Sequence, residues 1–515
     1  MKILSPNAPS WRYISPVFLV ALCLLVFSNA FPGEFVMDAQ AIVQDNPRLR
    51  SESSWGTIFT SNYWGAYRYF GGSYRPLTIA LFRVQYGILG FGEEPAGYMA
   101  VNLLIHLLTV LMIWRLALTL LKSHPGALFA AAFFAIHPVV TEIIPNIVGL
   151  GDVLATCFVV ATLLYWQRFY ATRHIKWAWI ASGVWLIGLL SKESAVVLPG
   201  LLVVWDLSRE TIIKKNLERF RSRPYLFAYG ILLVTGLLWF LFRESILAPH
   251  RPRFVEALMN PMVLESTVPR LMTALQIVSS YLLQAIVPVT LSPDYSFNQL
   301  AMIRSPIAMS FMLRMLFLVG SIVIIFLLWR KKTWRMASLG LLWFFIILSP
   351  VSNLLLVIAA IRADRFLYLP LIGICLCLGV VFNKVYCWAD TGASMHRTIV
   401  MILACGFLGI YAGHTYQHNR IWQSNLNLWE HTATVSPESI RALYNLAWFL
   451  NRDRPDEQDR IIQILEKAVA LSKHIPGDET FNTHINLGKA YINKAEQAMV
   501  SGRLSDTSVA WLNRA

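Results

Sequence analysis

The feature that most constrains this chain is a succession of apolar stretches, most of them about 20 residues long, which is the length a helix needs to span a membrane. Short polar loops separate these stretches. Charged residues make up only 14% of the 515 residues, whereas about a quarter of a soluble chain is charged. The sequence therefore predicts an all-α, polytopic membrane protein.

The stretches predict about eleven transmembrane spans. Basic residues concentrate in three short loops, at 168–176, 209–223 and 330–335, and such loops stay in the cytoplasm. An apolar segment at 271–290 is interpreted as re-entrant or interfacial, because a crossing there would move the last basic loop outside. The predicted spans are 13–31, 98–121, 125–143, 150–170, 177–190, 194–207, 225–243, 307–329, 336–353, 366–386 and 397–416.

This topology predicts two long loops, 32–97 and 244–306, and a C-terminal tail, all on the non-cytoplasmic side. The net charge of +15 is explained by the cytoplasmic loops and by contact with membrane lipid, so a nucleic-acid partner is not predicted. No Asn-X-Ser/Thr sequon occurs. We therefore expect an integral, multi-pass protein of a bacterial inner membrane rather than of the endoplasmic reticulum.

The tail, 417–515, differs in pattern from the membrane domain, 1–416. Asn486-Leu487-Gly488 followed by Tyr491 fits the first helix of a tetratricopeptide repeat, and a looser copy runs from Tyr444 to Ala468. The last segment, 509–515, is typical of a second helix, so the tail is expected either to be truncated or to pack on something else. Repeat arrays form concave recognition surfaces, which predicts a polypeptide partner.

Ionisable residues at membrane depth are costly and usually mark function. In this chain residues of both signs gather on the predicted non-cytoplasmic side, which suggests an enclosed polar cavity for an anionic substrate. The set comprises Asp38, Arg75, Glu142, Asp152, Lys192, Glu193, Asp294, Arg362, Asp364 and Arg365. No His or Cys spacing indicates a metal site, so no metal ligand is predicted.

A series of short motifs runs along nearly the whole chain in a fixed order. In sequence they are Glu34-Phe35-Val36-Met37-Asp38, Ser73-Tyr74-Arg75-Pro76-Leu77-Thr78, His137-Pro138-Val139, Thr141-Glu142, Ser191-Lys192-Glu193, Leu291-Ser292-Pro293-Asp294-Tyr295-Ser296, Pro350-Val351-Ser352-Asn353-Leu354 and Asp364-Arg365-Phe366-Leu367-Tyr368. In this order, and followed by repeats, they resemble the transmembrane and tetratricopeptide-repeat-containing protein O-mannosyltransferases.

The resemblance implies a C-type glycosyltransferase fold and a sugar, mannose by analogy, carried on a polyprenyl or dolichyl phosphate. The family's transfer is inverting, and its acceptor is a Ser or Thr hydroxyl of a protein. The family's catalytic position maps onto Asp38. The family usually has two adjacent acids there, whereas Asp38 is followed by Ala39, which leaves metal dependence open.

The residue chemistry is consistent with this assignment. A carboxylate can take the proton of an attacking hydroxyl, and Asp38 is the predicted base. Arginine donors suit a leaving phosphate, so Arg75, Arg362 and Arg365 are predicted to hold the donor, with Lys192 behind them. The remaining acids are predicted to line the same cavity: Glu142, Asp152, Glu193, Asp294 and Asp364.

Simpler interpretations remain for several residues. Asp38 can cap a helix, and Arg365 can anchor its span at the interface. Lys192 and Glu193 can pair with each other, while Glu142 and Asp152 can cap a turn. Two other functions also stay open: transfer to a glycolipid or cell-wall acceptor, and a non-catalytic membrane scaffold, which Ala39 favours.

Overall fold

A computed structural model describes residues 11–65, 72–209, 213–250, 255–390, 394–473, 475 and 481–500. Within these ranges all regular structure is helical. The helices are α1 Trp11–Val26, α2 Gly56–Phe59, α3 Pro76–Arg83, α4 Pro95–Leu121, α5 His124–Ile136, α6 Leu150–Thr172, α7 Ile175–Ser191, α8 Leu198–Ser208, α9 Ile213–Arg221, α10 Arg223–Leu247, α11 Thr267–Gln284, α12 Met309–Arg330, α13 Arg335–Leu348, α14 Tyr368–Asp390, α15 Ser394–Asn419, α16 Asn425–Val435, α17 Ile440–Asp453, α18 Gln458–Ser472 and α19 Phe481–Val500.

Several of these helices have the length and apolar composition of membrane spans. Six such segments occur in the described part of the chain: Pro95–Leu121, Ile147–Thr172, Arg223–Leu247, Met309–Arg330, Asp364–Ala389 and Met395–Gln423. Shorter apolar helices accompany them at Tyr13–Val26, His124–Ile136, Ile175–Ser191 and Arg335–Val351. The chain is therefore an integral, multi-pass membrane protein.

Three helices, α1, α5 and α13, end five or more residues earlier than their predicted spans. α1 ends at Val26, five residues before the predicted limit, and the Val26 carbonyl there accepts a side-chain hydrogen bond from Asn419 at 2.8 Å. Such a bond satisfies a carbonyl that a helix end leaves unpaired. α5 ends at Ile136, because the residue before Pro138 is biased away from helical backbone angles.

The central helices of the membrane domain approach one another closely through glycines. A Cβ atom at Gly340 of α13 would lie 2.3 Å from the Gly373 carbonyl oxygen of α14. A Cβ atom at Gly126 of α5 would lie 2.8 Å from the Gly379 carbonyl oxygen, also in α14. Small residues allow such close backbone packing inside a membrane. α14 is thereby fixed against two neighbours, and the segment that precedes it carries Arg362, Asp364 and Arg365.

The first long loop is folded rather than extended. It contains α2 and α3, and α3 begins at Pro76, a residue well suited to the first helical position. Its apolar side chains, among them Phe35, Ala39, Ile42 and Phe82, form a cluster that also includes residues of α4 and α6 such as Tyr98 and Leu154. This cluster supports the segment that carries Asp38.

The segment 271–290 contains α11, which ends at Gln284, and α11 is not among the helices long and apolar enough to span. In the tail, α16 to α19 each pack against the next helix along the chain. The predicted repeat motifs lie on α17, α18 and α19, and Ala447 and Tyr491 belong to the tail's apolar core. The predicted final helix, 509–515, lies outside the described residues.

Candidate functional site

Two ion pairs form where α7 meets α8. Lys192 Nζ lies 2.5 Å from Asp152 Oδ2, in the first turn of α6. Glu193 instead accepts a hydrogen bond from Arg75 Nε at 2.9 Å and another from the Tyr74 backbone N–H at 2.7 Å. The alternative in which Lys192 and Glu193 pair with each other is therefore wrong. Four predicted residues are brought together from three separate parts of the sequence.

A third pair joins the loop after α5 to the start of α14. Glu142 closes the turn Pro138–Glu142 and is buried. Its two oxygens accept hydrogen bonds from the Arg365 backbone N–H at 2.7 Å and from Arg365 Nη1 at 2.6 Å. Both carboxylate oxygens of Glu142 are thus held by one residue.

Arg362 and Asp364 form a looser arrangement with α11. Their closest charged atoms are 3.9 Å apart, and Gln284 bridges them, accepting from Arg362 Nη2 at 2.7 Å and donating to Asp364 Oδ1 at 2.8 Å. Tyr295 donates to Asp364 Oδ2 at 3.1 Å. The buried Arg362 Nε has no partner in the part of the chain that the structure describes. Glu142 and Asp364 also line one narrow cleft, with room for about one water molecule.

Asp294 is held by the tail rather than by the other predicted site residues. Its carboxylate accepts from the Ser439 hydroxyl at 2.8 Å and from Arg441 Nη1 at 3.1 Å, and both donors lie at the start of α17. The segment around Asp294 nevertheless reaches the site, because Ser292 donates its backbone N–H to Asp364 at 3.0 Å.

Asp38 is the one predicted acid whose carboxylate makes no hydrogen bond or ion pair with any described residue. Its charge acts on the Arg365 guanidinium and on Tyr63, as does that of Asp152. The Tyr63 ring in turn lies 4.7 Å below the Arg75 guanidinium. Asp38 therefore lies at the edge of the paired cluster that Arg365 and Arg75 help to form. Among the described residues, Arg362 forms neither a hydrogen bond nor an ion pair with Asp38.

The ionisation of the paired groups follows from their surroundings. Burial alone would raise the pKa of Glu193, but the Arg75 charge and the hydrogen bonds from Arg75 and the Tyr74 N–H lower it, which keeps the carboxylate ionised. Burial, helped by the charges of Arg75 and Arg365, lowers the pKa of Lys192, while Asp152 opposes the shift. Among the described residues, no three His, Cys, Asp or Glu side chains form a group that could hold a metal ion.

Comparison with known proteins finds relatives that match most of the chain. Residues 76–240 match the family model described as dolichyl-phosphate-mannose-protein mannosyltransferase. Mouse protein O-mannosyl-transferase TMTC4 is 27% identical over 485 residues, which cover 85% of this chain and 64% of that protein. Human protein O-mannosyl-transferase TMTC3 is 22% identical over 93% of this chain and 53% of that protein. Over most of its length the chain is thus similar to proteins named protein O-mannosyl-transferases.

The chain spans less than two thirds of the length of those relatives. A *Caenorhabditis elegans* protein O-mannosyl-transferase, F38B6.6, is 26% identical over 84% of this chain and 59% of its own. Among solved structures, the oligosaccharyltransferase of *Archaeoglobus fulgidus* aligns with 88% of this chain and 59% of its own, with a TM-score of 0.43 and 12% identity.

Three further residues contribute to the site but were not predicted from the sequence. Gln284 bridges the Arg362–Asp364 pair, Tyr63 lies against Arg75, and Asn425 of α16 contacts the segment before Asp38. Tyr63 belongs to an aromatic stretch typical of a membrane interface, which conceals its role. Gln284 and Asn425 lie far along the chain from their partners, so a single sequence carries no signal for either.

Proposed function

We propose that this chain is a membrane glycosyltransferase that moves mannose from a polyprenyl or dolichyl phosphate to a Ser or Thr hydroxyl of a protein, on the non-cytoplasmic side. The names of its relatives and the matched family model support the reaction class. The single observation that carries the assignment of residues is the position of the unpaired Asp38 carboxylate within electrostatic range of Arg365.

The cationic side chains of the site differ in solvent exposure. This difference indicates which of them can bind the donor phosphate. The Arg365 side chain is 31% exposed, whereas those of Arg362 and Lys192 are 12% and 11% exposed. A guanidinium carries five N–H donors, and Glu142 takes only one from the Arg365 side chain. Arg365 thus has donors to spare for a phosphate oxygen. Arg75 and Arg362 are proposed to assist it, with Lys192 behind them.

The proposed chemistry needs a base and a site for the leaving anion on the two sides of the sugar's anomeric carbon. Asp38 takes the proton of the acceptor hydroxyl as its oxygen forms the new bond to that carbon. The bond between the carbon and the phosphate oxygen breaks, and the lipid phosphate leaves with the electron pair. Arg365 stabilises the charge that develops on it, because fixed donors are most effective in a site that excludes water.

The test is transfer of labelled mannose from dolichyl-phosphate mannose to a Ser/Thr-containing peptide by the purified full chain. We expect Asp38→Asn to lower the turnover rate by about 10²- to 10⁴-fold, the usual contribution of a general base, with donor binding retained. Asp45→Asn, which changes an exposed acid in the same loop, serves as the matched control. An unchanged rate in Asp38→Asn would exclude this base. Label recovered in lipid rather than in peptide would instead indicate a glycolipid acceptor.

The remaining features of the proposal are architectural. We propose a C-type glycosyltransferase fold with about eleven spans, with 1–416 as the membrane domain and 417–515 as a tetratricopeptide-repeat tail that binds a polypeptide. The basic loops favour a non-cytoplasmic tail, and the absence of sequons favours a bacterial inner membrane. Labelling of a cysteine introduced at the exposed Asn427 by an impermeant reagent applied outside the cell tests the side of the tail. The donor is the only small-molecule partner proposed, and a chelator should leave the transfer rate unchanged.

A non-catalytic scaffold is the second candidate, because Ala39 replaces the second acid of the family pattern. The structure supplies a reason for an apolar residue there. Ala39 is 0% exposed and packs in an apolar cluster with Phe35 and Ile42. A small apolar side chain at 39 therefore has a packing role, which supports the enzyme over the scaffold. Absence of any transfer by the wild-type chain with every lipid-linked sugar tested would favour the scaffold.

A further inference from the structure

The segment that leads to Asp38 is held by the tail. The Gly33 backbone N–H donates to the Gln423 carbonyl at 2.9 Å, just before α16 begins. Glu34 accepts a hydrogen bond from the Asn425 backbone N–H and forms an ion pair with Arg452 of α17 at 2.9 Å. The tail therefore contacts the first outer loop directly, at positions some 390 residues apart in the sequence.

Asn425 makes the closest of these contacts to the proposed base. Its side-chain nitrogen donates to the Phe35 carbonyl at 2.9 Å, and its side-chain oxygen accepts from the Met37 backbone N–H at 3.0 Å. One buried amide thus binds the backbone on both sides of Val36, as a neighbouring strand would. Both hydrogen bonds end within three residues of Asp38.

The backbone beside Asp38 adopts an unusual conformation that such bonds can maintain. Met37 has a φ of +54°, in the left-handed region that residues other than glycine rarely occupy. Conformations of this kind persist only when the surrounding structure holds them, and they concentrate at functional sites. Met37 and Asp38 lie in a turn closed by the Ala39 backbone N–H, which donates to the Val36 carbonyl at 3.2 Å.

Apolar packing fixes the same segment from two sides. Val36 lies in the tail's core with Trp422 and Trp429, whereas Phe35 and Ala39 lie in the separate core of the first loop. Asp38 is partly exposed between these two cores. The tail therefore supplies one wall of the structure that orients the Asp38 carboxylate.

We propose that Asn425 is a positioning residue for Asp38, so that the first helix of the tail is part of the active site and not only a surface for a partner. This proposal rests on the proposed function, in which Asp38 is the base. Asn425 touches neither donor nor acceptor. It acts by holding the Phe35 carbonyl and the Met37 N–H, and thereby the direction in which the Asp38 carboxylate projects.

A displaced base lowers turnover more than it lowers donor binding, because the donor phosphate is bound by Arg365 at the start of α14. A misplacement of about 1 Å can cost about 100-fold in rate. We expect Asn425→Ala to lower kcat of mannose transfer by about 10- to 100-fold with little change in KM for dolichyl-phosphate mannose. Asn425→Ser adds no buried charge, and its short side chain cannot reach both Phe35 and Met37, so its kcat should also fall. Asn427→Ala, an exposed position on the same helix turn, should leave kcat unchanged.

A double-mutant cycle with Asp38→Asn distinguishes positioning from a general structural role. If Asn425 acts through Asp38, adding Asn425→Ala to Asp38→Asn should lower the residual rate no further. An equal fold-loss in both backgrounds would overturn the proposal, as would an unchanged kcat in Asn425→Ala. If Asn425→Ala fails to purify folded, Asn425→Ser replaces it, and an unchanged kcat in Asn425→Ser would likewise overturn the proposal.

An error in the proposed base and an error in the proposed role of Asn425 would give different results. Full activity in Asp38→Asn removes the proposed base, whatever Asn425 does. Loss of activity in Asp38→Asn together with full activity in Asn425→Ala leaves the base in place and removes only the role of the tail.

Discussion

Two loops on the same face of the molecule present a carboxylate to one guanidinium, and they do so in opposite ways. The turn after α5 places Glu142 so that Arg365 occupies both of its oxygens. The first outer loop places Asp38 so that its charge reaches Arg365 without any hydrogen bond from a described residue. A carboxylate whose oxygens are all bound is unavailable as a base, whereas an unbound one can receive a proton.

This difference separates structural acids from the proposed catalytic one. Asp152, Glu193 and Asp364 resemble Glu142, since each accepts a hydrogen bond from a buried or half-buried partner. Fully satisfied polar networks make a site rigid. We infer that the paired acids hold Arg75, Lys192 and Arg365 in place, and that Asp38 alone is free to react.

The largest expected effect comes from adding a second acid beside Asp38. Ala39→Asp would place a carboxylate in the apolar cluster of the first loop, where no cation among the described residues is in contact. We expect a loss of about 3–5 kcal/mol in folding stability, typical of an uncompensated buried charge, measured as a lower thermal unfolding midpoint in detergent. Ala39→Ser, with a smaller polar group, is the control. A gain in transfer rate at normal stability would show that position 39 faces the site.

Removing Glu142 should be almost as destabilising. Glu142→Ala leaves the Arg365 guanidinium and backbone N–H without their partner, and because Arg365 is about one-third exposed we expect a loss of about 3 kcal/mol, at the lower end for a broken buried pair. Asp38→Asn should instead change stability by less than about 0.5 kcal/mol, as at an unpaired position, while it lowers the transfer rate by about 10²- to 10⁴-fold. Thermal unfolding midpoints of both variants test this difference. If Asp38→Asn proves as unstable as Glu142→Ala, Asp38 is a structural acid like Glu142.

The sequence predicts the membrane helices well, because apolar length is a local property. Each predicted span range contains a helix, although the span count itself stays a prediction. Helix ends were predicted less well, since tertiary contacts decide them. α1 ends where Asn419 donates a hydrogen bond to the Val26 carbonyl, and no sequence pattern near Val26 predicts that contact.

Residue types in the site were predictable, but their partners were not. Motif order brought Lys192 and Glu193 to attention, yet their partners lie 40 and 118 residues away. Adjacent residues at a helix end point in different directions, which is why the two do not pair with each other. Asn425 was missed because its contact with Met37 joins the tail to the first loop, 388 residues apart.

A smaller effect is expected from a change that keeps the charge of Arg365. Arg365→Lys retains one positive charge but loses the forked donors that can bind Glu142 and a phosphate together. We expect KM for dolichyl-phosphate mannose to rise about tenfold, which corresponds to about 1.4 kcal/mol, with a smaller change in kcat. Arg330→Lys, at an exposed position in a basic loop, should leave both values unchanged. An unaltered KM in Arg365→Lys would remove this residue from donor binding.

The smallest effect should come from the contact between the tail and Asp294. Arg441 pairs with Asp294 at 3.1 Å, but its side chain is 28% exposed, and Ser439 also donates to Asp294. Arg441 and Asp294 form a partly exposed pair, and another donor also binds Asp294, so the pair contributes little to stability. Arg441→Met should lower the free energy of unfolding by about 1 kcal/mol or less. It should change the transfer rate by no more than about twofold, which corresponds to less than that energy. Unfolding midpoints and initial rates measure both. A rate loss as large as that of Asn425→Ala would mean that any weakening of the tail impairs transfer, and Asn425 would then have no special relation to Asp38.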